Sequence, residues 1–272
     1  HQLVRLFKMT QTTTTAITTQ VHSLVTLKTG RQVRLASRAN NCTTTAGLAP
    51  GYLQTNLIVL PSRYAADFRL LCARNPVPCP LVAESESIGT WNKFKSCLDG
   101  IEGKTMLDDV DIRRDAPKFN VYHDAKLVKK DCSDILDEWN KDHVAFLIGC
   151  SFSFETALTE AGLEPRHTQL GRNVPMYRTS LPLCPAGVFT NGTFVVSMRP
   201  YPKSQIEKVR EITRAYSSTH GEPVAGGWEA IERRGIKDLN IPEWGEAPLT
   251  KEGRERKSTR RNSRHLGRSK DG

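Results

Sequence analysis

The sequence has no apolar run approaching the ~18 residues that a membrane-spanning helix needs, so no such helix is expected. It also has no CxxC pair. Its cysteines, Cys42, Cys72, Cys79, Cys97, Cys132, Cys150 and Cys184, stand in no zinc-type arrangement with histidine, which argues against a structural metal. The cysteine number is odd and no signal peptide precedes it. Reduced thiols and an intracellular compartment, cytoplasmic or mitochondrial, are therefore expected. The glycine spacing of a nucleotide loop is missing as well, and no motif for an organic cofactor is present, so neither cofactor nor metal is expected. Acid is scarce at both ends. Residues 1–40 hold six Lys/Arg and no Asp/Glu, and residues 251–272 hold nine Lys/Arg against three acids. The net charge of +10 thus belongs to the ends, and residues 41–250 carry −2. That balance, with no aromatic-basic recognition motif, argues against nucleic acid as a partner.

What is present reads as a soluble globular chain of 272 residues, 38% hydrophobic and 25% charged. Residues 1–42 are expected to be a disordered or targeting-like extension, because the stretch 9–38 is basic, acid-free and hydroxyl-rich, like a presequence or a frayed polar end. The run 251–272 has no apolar period and reads as a basic disordered tail. Between them the chain alternates strands and helices, so an α/β class is expected: a three-layer α/β main body (43–165) with a smaller two-layer α+β lobe (166–218) and a return to the body (219–250).

Several elements are legible. LIVL, closed by Pro61, is a strand. Tyr64, Phe68, Leu71 and Cys72 stand at helical spacing, with Ser62 as the N-cap. Residues 84–108 read as an irregular surface loop, FNVY/HDAK/LV as a hairpin, and Asp134 to Trp139 as a short helix. Strands are expected at VPMYRT and FVVSMRP, with Asn191-Gly192 as a turn rather than a glycosylation site, followed by a helix over SQIEKVREITRAY.

The stretch His143 to Gly162, HVAFLIGCSFSFETALTEAG, carries the most chemistry. A strand over 144–148 runs into a Cys-Ser-Phe-Ser turn, and a helix over 154–161 follows. A helix start offers free N–H groups and a partial positive charge, which suits a carboxylate or an oxyanion. Ser151 and Ser153 add hydroxyl donors, Glu155 is placed to move protons, and Cys150 is a candidate nucleophile. The plainer reading has Ser153 capping the helix, Glu155 complementing its dipole and Cys150 buried and inert. In GRNVPMYRTS, Arg172 and Arg178 are six residues apart, which puts them on one face of a regular strand with Asn173 and Tyr177 beside them. Such a pair clamps a dicarboxylate or forms a solvated basic face. Arg199 can add a third donor, Gln54 and Asn56 share one strand face as polar ligand contacts, and His220 is a candidate general acid or base.

Taken together, TAGLAPGYLQTNLIVLP, CARNPVPCPL, DIRRDAPKFNVY, HVAFLIGCSFSFETAL, GRNVPMYRT, VVSMRPY and THGEP resemble the hydro-lyase family that includes D-glutamate cyclase, its fungal-type members most of all. The resemblance runs in order from about Thr45 to Leu249. It implies the two-part α/β fold and a lyase that interconverts D-glutamate with 5-oxo-D-proline and water, with no cofactor. The implied partner is a small dicarboxylate or amino-acid substrate, and a homo-oligomer is left open. Two departures stand out. The family's final segment, like VPVFWACGVTPQ, is missing after PEWGEAPLTKEGR, and Ala225 stands where some relatives carry a second His. A catalytically inactive carboxylate-binding member of the same fold is the alternative reading.

Overall fold

The computed structural model describes residues 2–5 and 27–247. The basic tail, and the presequence-like stretch as far as residue 26, lie outside the described residues. Seven described strands form one sheet: β1 (Gln2–Arg5), β2 (Thr55–Pro61), β3 (Leu81–Ser85), β4 (Phe94–Ser96), β5 (Phe119–His123), β6 (Lys126–Cys132) and β7 (His143–Gly149). Their order is β4-β3-β7-β2-β1-β5-β6, and every pairing is antiparallel. The architecture is mixed α/β, as the sequence leads one to expect.

The run VAFLI is apolar throughout because β7 is covered on both faces. Successive side chains point to opposite sides of a strand. Ala145 and Leu147 join Leu57, Val59, Phe119 and Ile135 on one side, while Val144, Phe146 and Ile148 join Leu60, Phe68 and Leu71 on the other. The second set is closed by α2 (Ala65–Arg74), preceded by a 3₁₀ turn at Ser62–Tyr64. Each large apolar side chain buried there contributes about 1.5–3 kcal/mol. Ser62 does not cap this helix: its hydroxyl binds the Asp142 carboxylate, since the 3₁₀ turn separates it from the helix start.

Helix α1 (Gly30–Arg38) lies in the stretch expected to be unstructured. A capping box starts it, in which Thr29 Oγ1 accepts from the Gln32 amide at 3.2 Å and the Gln32 side chain accepts from the Thr29 amide at 3.1 Å. Its basic side chains meet acids contributed by a distant loop. Arg31 pairs with Asp109 at 3.1 Å, Arg34 with Asp108 at 3.2 Å, and Arg38 with the buried Asp115. Much of the excess positive charge near the N-terminus is thus balanced within the fold. Residues 84–108 are also more ordered than a surface loop, with β4 and the short helix α3 (Gly103–Met106). Asp134 to Trp139 forms a turn instead of a helix, its Trp139 amide bonding Ile135 at 3.0 Å.

Beyond β7, a 3₁₀ turn (Ser151–Phe154) leads into α4 (Glu155–Glu160), which ends at Gly162 in the left-handed conformation. Next come α5 (Arg166–Gln169), a two-stranded sheet of β8 (Met176–Pro182) and β9 (Thr193–Ser197), and α6 (Ile206–Arg214). Asn191, in the turn that returns the chain to β9, has a positive φ. Phe154 and Leu158 pack with Val209, Ile212 and Tyr216, which docks α4 on α6. The short helix α7 (Trp228–Arg233) follows.

Candidate functional site

A cavity of about 660 Å³ opens beside the end of β7. Its size is that of a small-molecule pocket. Ser151 from the turn, Arg199 just past β9 and His220 meet at its wall, and apolar side chains such as Ile206, Val209 and Ile231 supply much of the rest. Three residues picked from separate stretches of sequence are therefore brought together by the fold.

The close approach depends on Gly149. A Cβ there would fall 2.0 Å from the Ser218 carbonyl oxygen and 2.9 Å from Thr219 Cα. The bare backbone lets the Ser217–Thr219 turn lie against the end of β7, and that turn carries His220. His220 adopts φ 88°, an uncommon conformation for a residue with a side chain. Its Nδ1 lies 2.8 Å from the Val77 carbonyl. A carbonyl only accepts, so the proton is on Nδ1 and the lone pair on Nε2. Burial lowers the His220 pKa, the carbonyls of Val77 and Gly149 oppose that, and the charge of Arg199 adds to the lowering. The ring is thus held neutral, the state a general base requires.

Arg199 is anchored from behind. Its Nε donates to Glu155 Oε1 at 3.0 Å, one terminal nitrogen donates to Ser197 Oγ at 2.9 Å, and the other donates to Glu155 Oε1 and to Ser151 Oγ at 3.1 Å. The guanidinium also lies over the Phe154 ring at 5.0 Å. Glu155 is buried and takes a further contact from His167 Nε2 at 3.1 Å. Burial alone would raise the Glu155 pKa, but the His167 hydrogen bond and the Arg199 charge outweigh it and hold the carboxyl below its ordinary range. Glu155 therefore sits ionised behind Arg199, where it orients the guanidinium. Ser151 accepts from Arg199, and its own hydroxyl proton has no protein acceptor among the described residues.

Other residues picked from the sequence lie elsewhere. Ser153 Oγ accepts from the Gln54 amide at 2.8 Å and donates to the Gln54 carbonyl at 3.3 Å, so its hydroxyl joins the turn to β2 instead of facing a ligand. Cys150 belongs to the same junction, its amide bonding the Gln54 carbonyl at 2.9 Å. The Gln54 side chain takes a bond from Thr45 Oγ1 at 2.7 Å, and Asn56 is exposed on β2. None of these four lines the cavity.

The Arg172/Arg178 clamp does not form, because the strand starts only at Met176, after a left-handed Gly171 and after Pro175. Arg172 binds the Ala247 carbonyl at 3.1 Å, and the Asn173 carbonyl accepts from the Glu246 amide at 3.3 Å. Arg178 does not line the cavity: its amide donates to Glu243 at 3.0 Å, and its guanidinium lies 5.7 Å from the Trp244 ring. Tyr177 is buried with its hydroxyl donating to the Leu239 carbonyl at 2.7 Å, and burial raises its pKa. These four residues fasten the segment 239–247 onto β8.

Sequence reasoning missed His167, Arg210, Glu222 and Arg234. His167 lies on a four-residue helix with no period to read, and Arg234 follows Arg233 at a helix end, where paired cations look like a solvated terminus.

Residues 144–255 match the family described as D-glutamate cyclase, a span that includes Ser151, Arg199 and His220. A protein of Schizosaccharomyces pombe carrying the name "Putative hydro-lyase C5H10.01" is 46% identical over 209 residues, covering 77% of this chain and 66% of that one. A "Putative hydro-lyase" of Rubrobacter xylanophilus is 43% identical over 216 residues, covering 79% of this chain and 78% of its own length. Another, from a Jannaschia species, is 42% identical over 213 residues, covering 77% and 73%. The relatives thus span fungi and bacteria, broader than the fungal-type resemblance read from the motifs. Among the described residues no helix is long and apolar enough to cross a membrane. The chain belongs to the hydro-lyase family related to D-glutamate cyclase.

Proposed function

We propose that this chain is a carbon–oxygen lyase that interconverts D-glutamate with 5-oxo-D-proline and water. The observation that carries the reading is the meeting of Ser151, Arg199 and a neutral His220 on one cavity of about 660 Å³. In the cyclising direction His220 Nε2 takes a proton from the substrate ammonium group. The amine then attacks the γ-carboxyl carbon and a C–N bond forms; the proton held by His220 and the one the nitrogen sheds on attack pass to the departing oxygen, and the C–O bond breaks as water leaves. The Ser151 hydroxyl and the remaining Arg199 N–H stabilise the oxyanion on that carbon. Hydrolysis of 5-oxo-D-proline is the same path in reverse. Glu155 is a positioning residue, since it touches Arg199 and His167.

The test is incubation with D- and L-glutamate and with D- and L-5-oxoproline, followed by chiral chromatography. Interconversion of the D-forms supports the reading. A folded protein that turns over none of the four would point to the inactive, carboxylate-binding member. His220→Asn is expected to lower kcat about 100- to 10,000-fold while the circular dichroism spectrum is unchanged. The acid limb of the wild-type pH–rate profile should have its midpoint below the ordinary imidazole value of 6.5, because protonating a ring of lowered pKa removes the lone pair only at lower pH. A limb at or above that value, or a variant as active as wild type, would remove His220 from the mechanism.

A further inference from the structure

The cavity wall holds three arginines, Arg199, Arg210 and Arg234, and they differ in what they have left to offer. Arg199 is ion-paired with Glu155, and Arg210 is paired with Glu222 at 2.9 Å. Arg234 forms no ion pair among the described residues, and its Nε is buried with no hydrogen-bond partner. Its terminal nitrogens donate to the carbonyls of Ala230 at 3.2 Å and Val224 at 3.0 Å.

A guanidinium has five N–H groups and is always charged. In Arg199 four are engaged, with Glu155 twice, Ser197 and Ser151, which leaves one. In Arg234 two are engaged, both with neutral carbonyls, which leaves three. Two of these are on the terminal nitrogens, one on each, and they suffice for the two parallel bonds that a carboxylate takes from arginine. Arg210 is a weaker candidate, because an anion there would first have to displace Glu222, which also pairs with Arg214.

We infer that Arg234 is the anchor for a ligand carboxylate, at a subsite separate from the Ser151, Arg199 and His220 end of the cavity. The inference rests on the proposed reaction for one further point, namely which carboxylate binds there. The γ-carboxyl of the open substrate becomes a neutral lactam carbonyl, whereas the α-carboxylate stays charged throughout. A permanent anion calls for an uncompensated cation, and Arg234 is that cation. The reacting carbonyl calls for donors without a large net charge, which the Arg199–Glu155 pair and Ser151 provide. Arg234 thereby acts in binding, and its contact is the same in ground and transition states.

The test compares the binding of 5-oxo-D-proline with that of its uncharged carboxamide by titration calorimetry, in wild type, Arg234→Met and Arg234→Lys. Wild type should prefer the acid by about 10- to 100-fold, the worth of a charge-assisted pair. Arg234→Met should lose that preference while its affinity for the carboxamide is unchanged, and Arg234→Lys should keep part of it. In turnover, Arg234→Met should raise KM with kcat little altered. The inference is overturned if wild type shows no preference for the acid, if Arg234→Met retains it, or if Arg234→Met loses acid and carboxamide alike, which would mark a structural role. Should Arg234→Met fail to fold, the wild-type preference and its partial loss in Arg234→Lys decide the matter: an Arg234→Lys variant that keeps the preference in full overturns the inference. An acid preference that depends on Arg234, in a protein that does not turn over D-glutamate, would sink the proposed reaction and leave the anchor standing.

Discussion

Glu155→Ala is expected to lower the unfolding free energy by about 3–5 kcal/mol. The side chains of Glu155 and Arg199 are each 9% exposed, so neither charge has much water to fall back on. Removing the carboxylate leaves the Arg199 guanidinium buried without its counter-charge and takes the acceptor from His167 Nε2 as well. Replacing one partner of a buried pair costs far more than replacing both, because the desolvation of the survivor is uncompensated. Urea unfolding of wild type and variant checks the figure, and a loss under about 1 kcal/mol would mean that Arg199 finds solvent or a new acceptor. The pH dependence has a definite sign. The folded-state pKa of Glu155 lies below the usual value of 4.5, so its contribution is complete above that value and is lost as pH falls through the lower folded value. The gap between wild type and Glu155→Ala should therefore stay constant from neutral pH down to that range and shrink only below it. Turnover should fall too, since Arg199 loses the contact that aims it at the cavity.

Gly149→Ala is expected to cost about 3 kcal/mol, or roughly 6–12 °C in Tm for a chain of this size. The new Cβ would sit 2.0 Å from the Ser218 carbonyl oxygen, and the next atom it meets, Thr219 Cα, is also backbone. No side chain can rotate away to make room, and the strand cannot retreat, because Gly149 is paired with Thr55 and its amide binds the Pro80 carbonyl at 2.9 Å. The Ser217–Thr219 turn must therefore shift, and His220 moves with it. A displacement of about 1 Å at a catalytic group can cost on the order of 100-fold in rate. Activity should thus fall further than stability, which differential scanning calorimetry beside the chiral assay would read. A variant with Tm within about 2 °C of wild type and normal turnover would show that the turn is free to move without consequence.

Much of the fold was legible because its signal is local. The run over 144–148 is apolar at every position, and the structure extends it only to His143–Gly149. FNVY and its partner form β5 and β6 around Asp124 and Ala125, both at positive φ. Helix α6 falls within the stretch SQIEKVREITRAY and buries Val209 and Thr213, four residues apart on one face. The misreadings share a cause. Arg172 and Arg178 were placed on one face by assuming a regular strand, and the chain between them is regular only from Met176. Ser153 looked like a free donor because sequence does not reveal that the Gln54 backbone, 99 residues away along the chain, lies within reach of its hydroxyl. Residues 30–38 looked unstructured because the acids that pair with Arg31, Arg34 and Arg38 lie more than 70 residues further on.

By itself the sequence determined the mixed α/β class, the central strand, the turn bearing Ser151 and membership of the hydro-lyase family, since periodicity, capping and motif order are written along the chain. Only the tertiary structure decided which charges remain available. Glu155 and Arg199 are 44 residues apart and neutralise each other, Glu222 does the same for Arg210, and Arg234 is left without an acidic partner among the described residues. Ion pairing depends on distance in space, and it determines whether an arginine still acts as a cation toward a ligand or has already been neutralised from within.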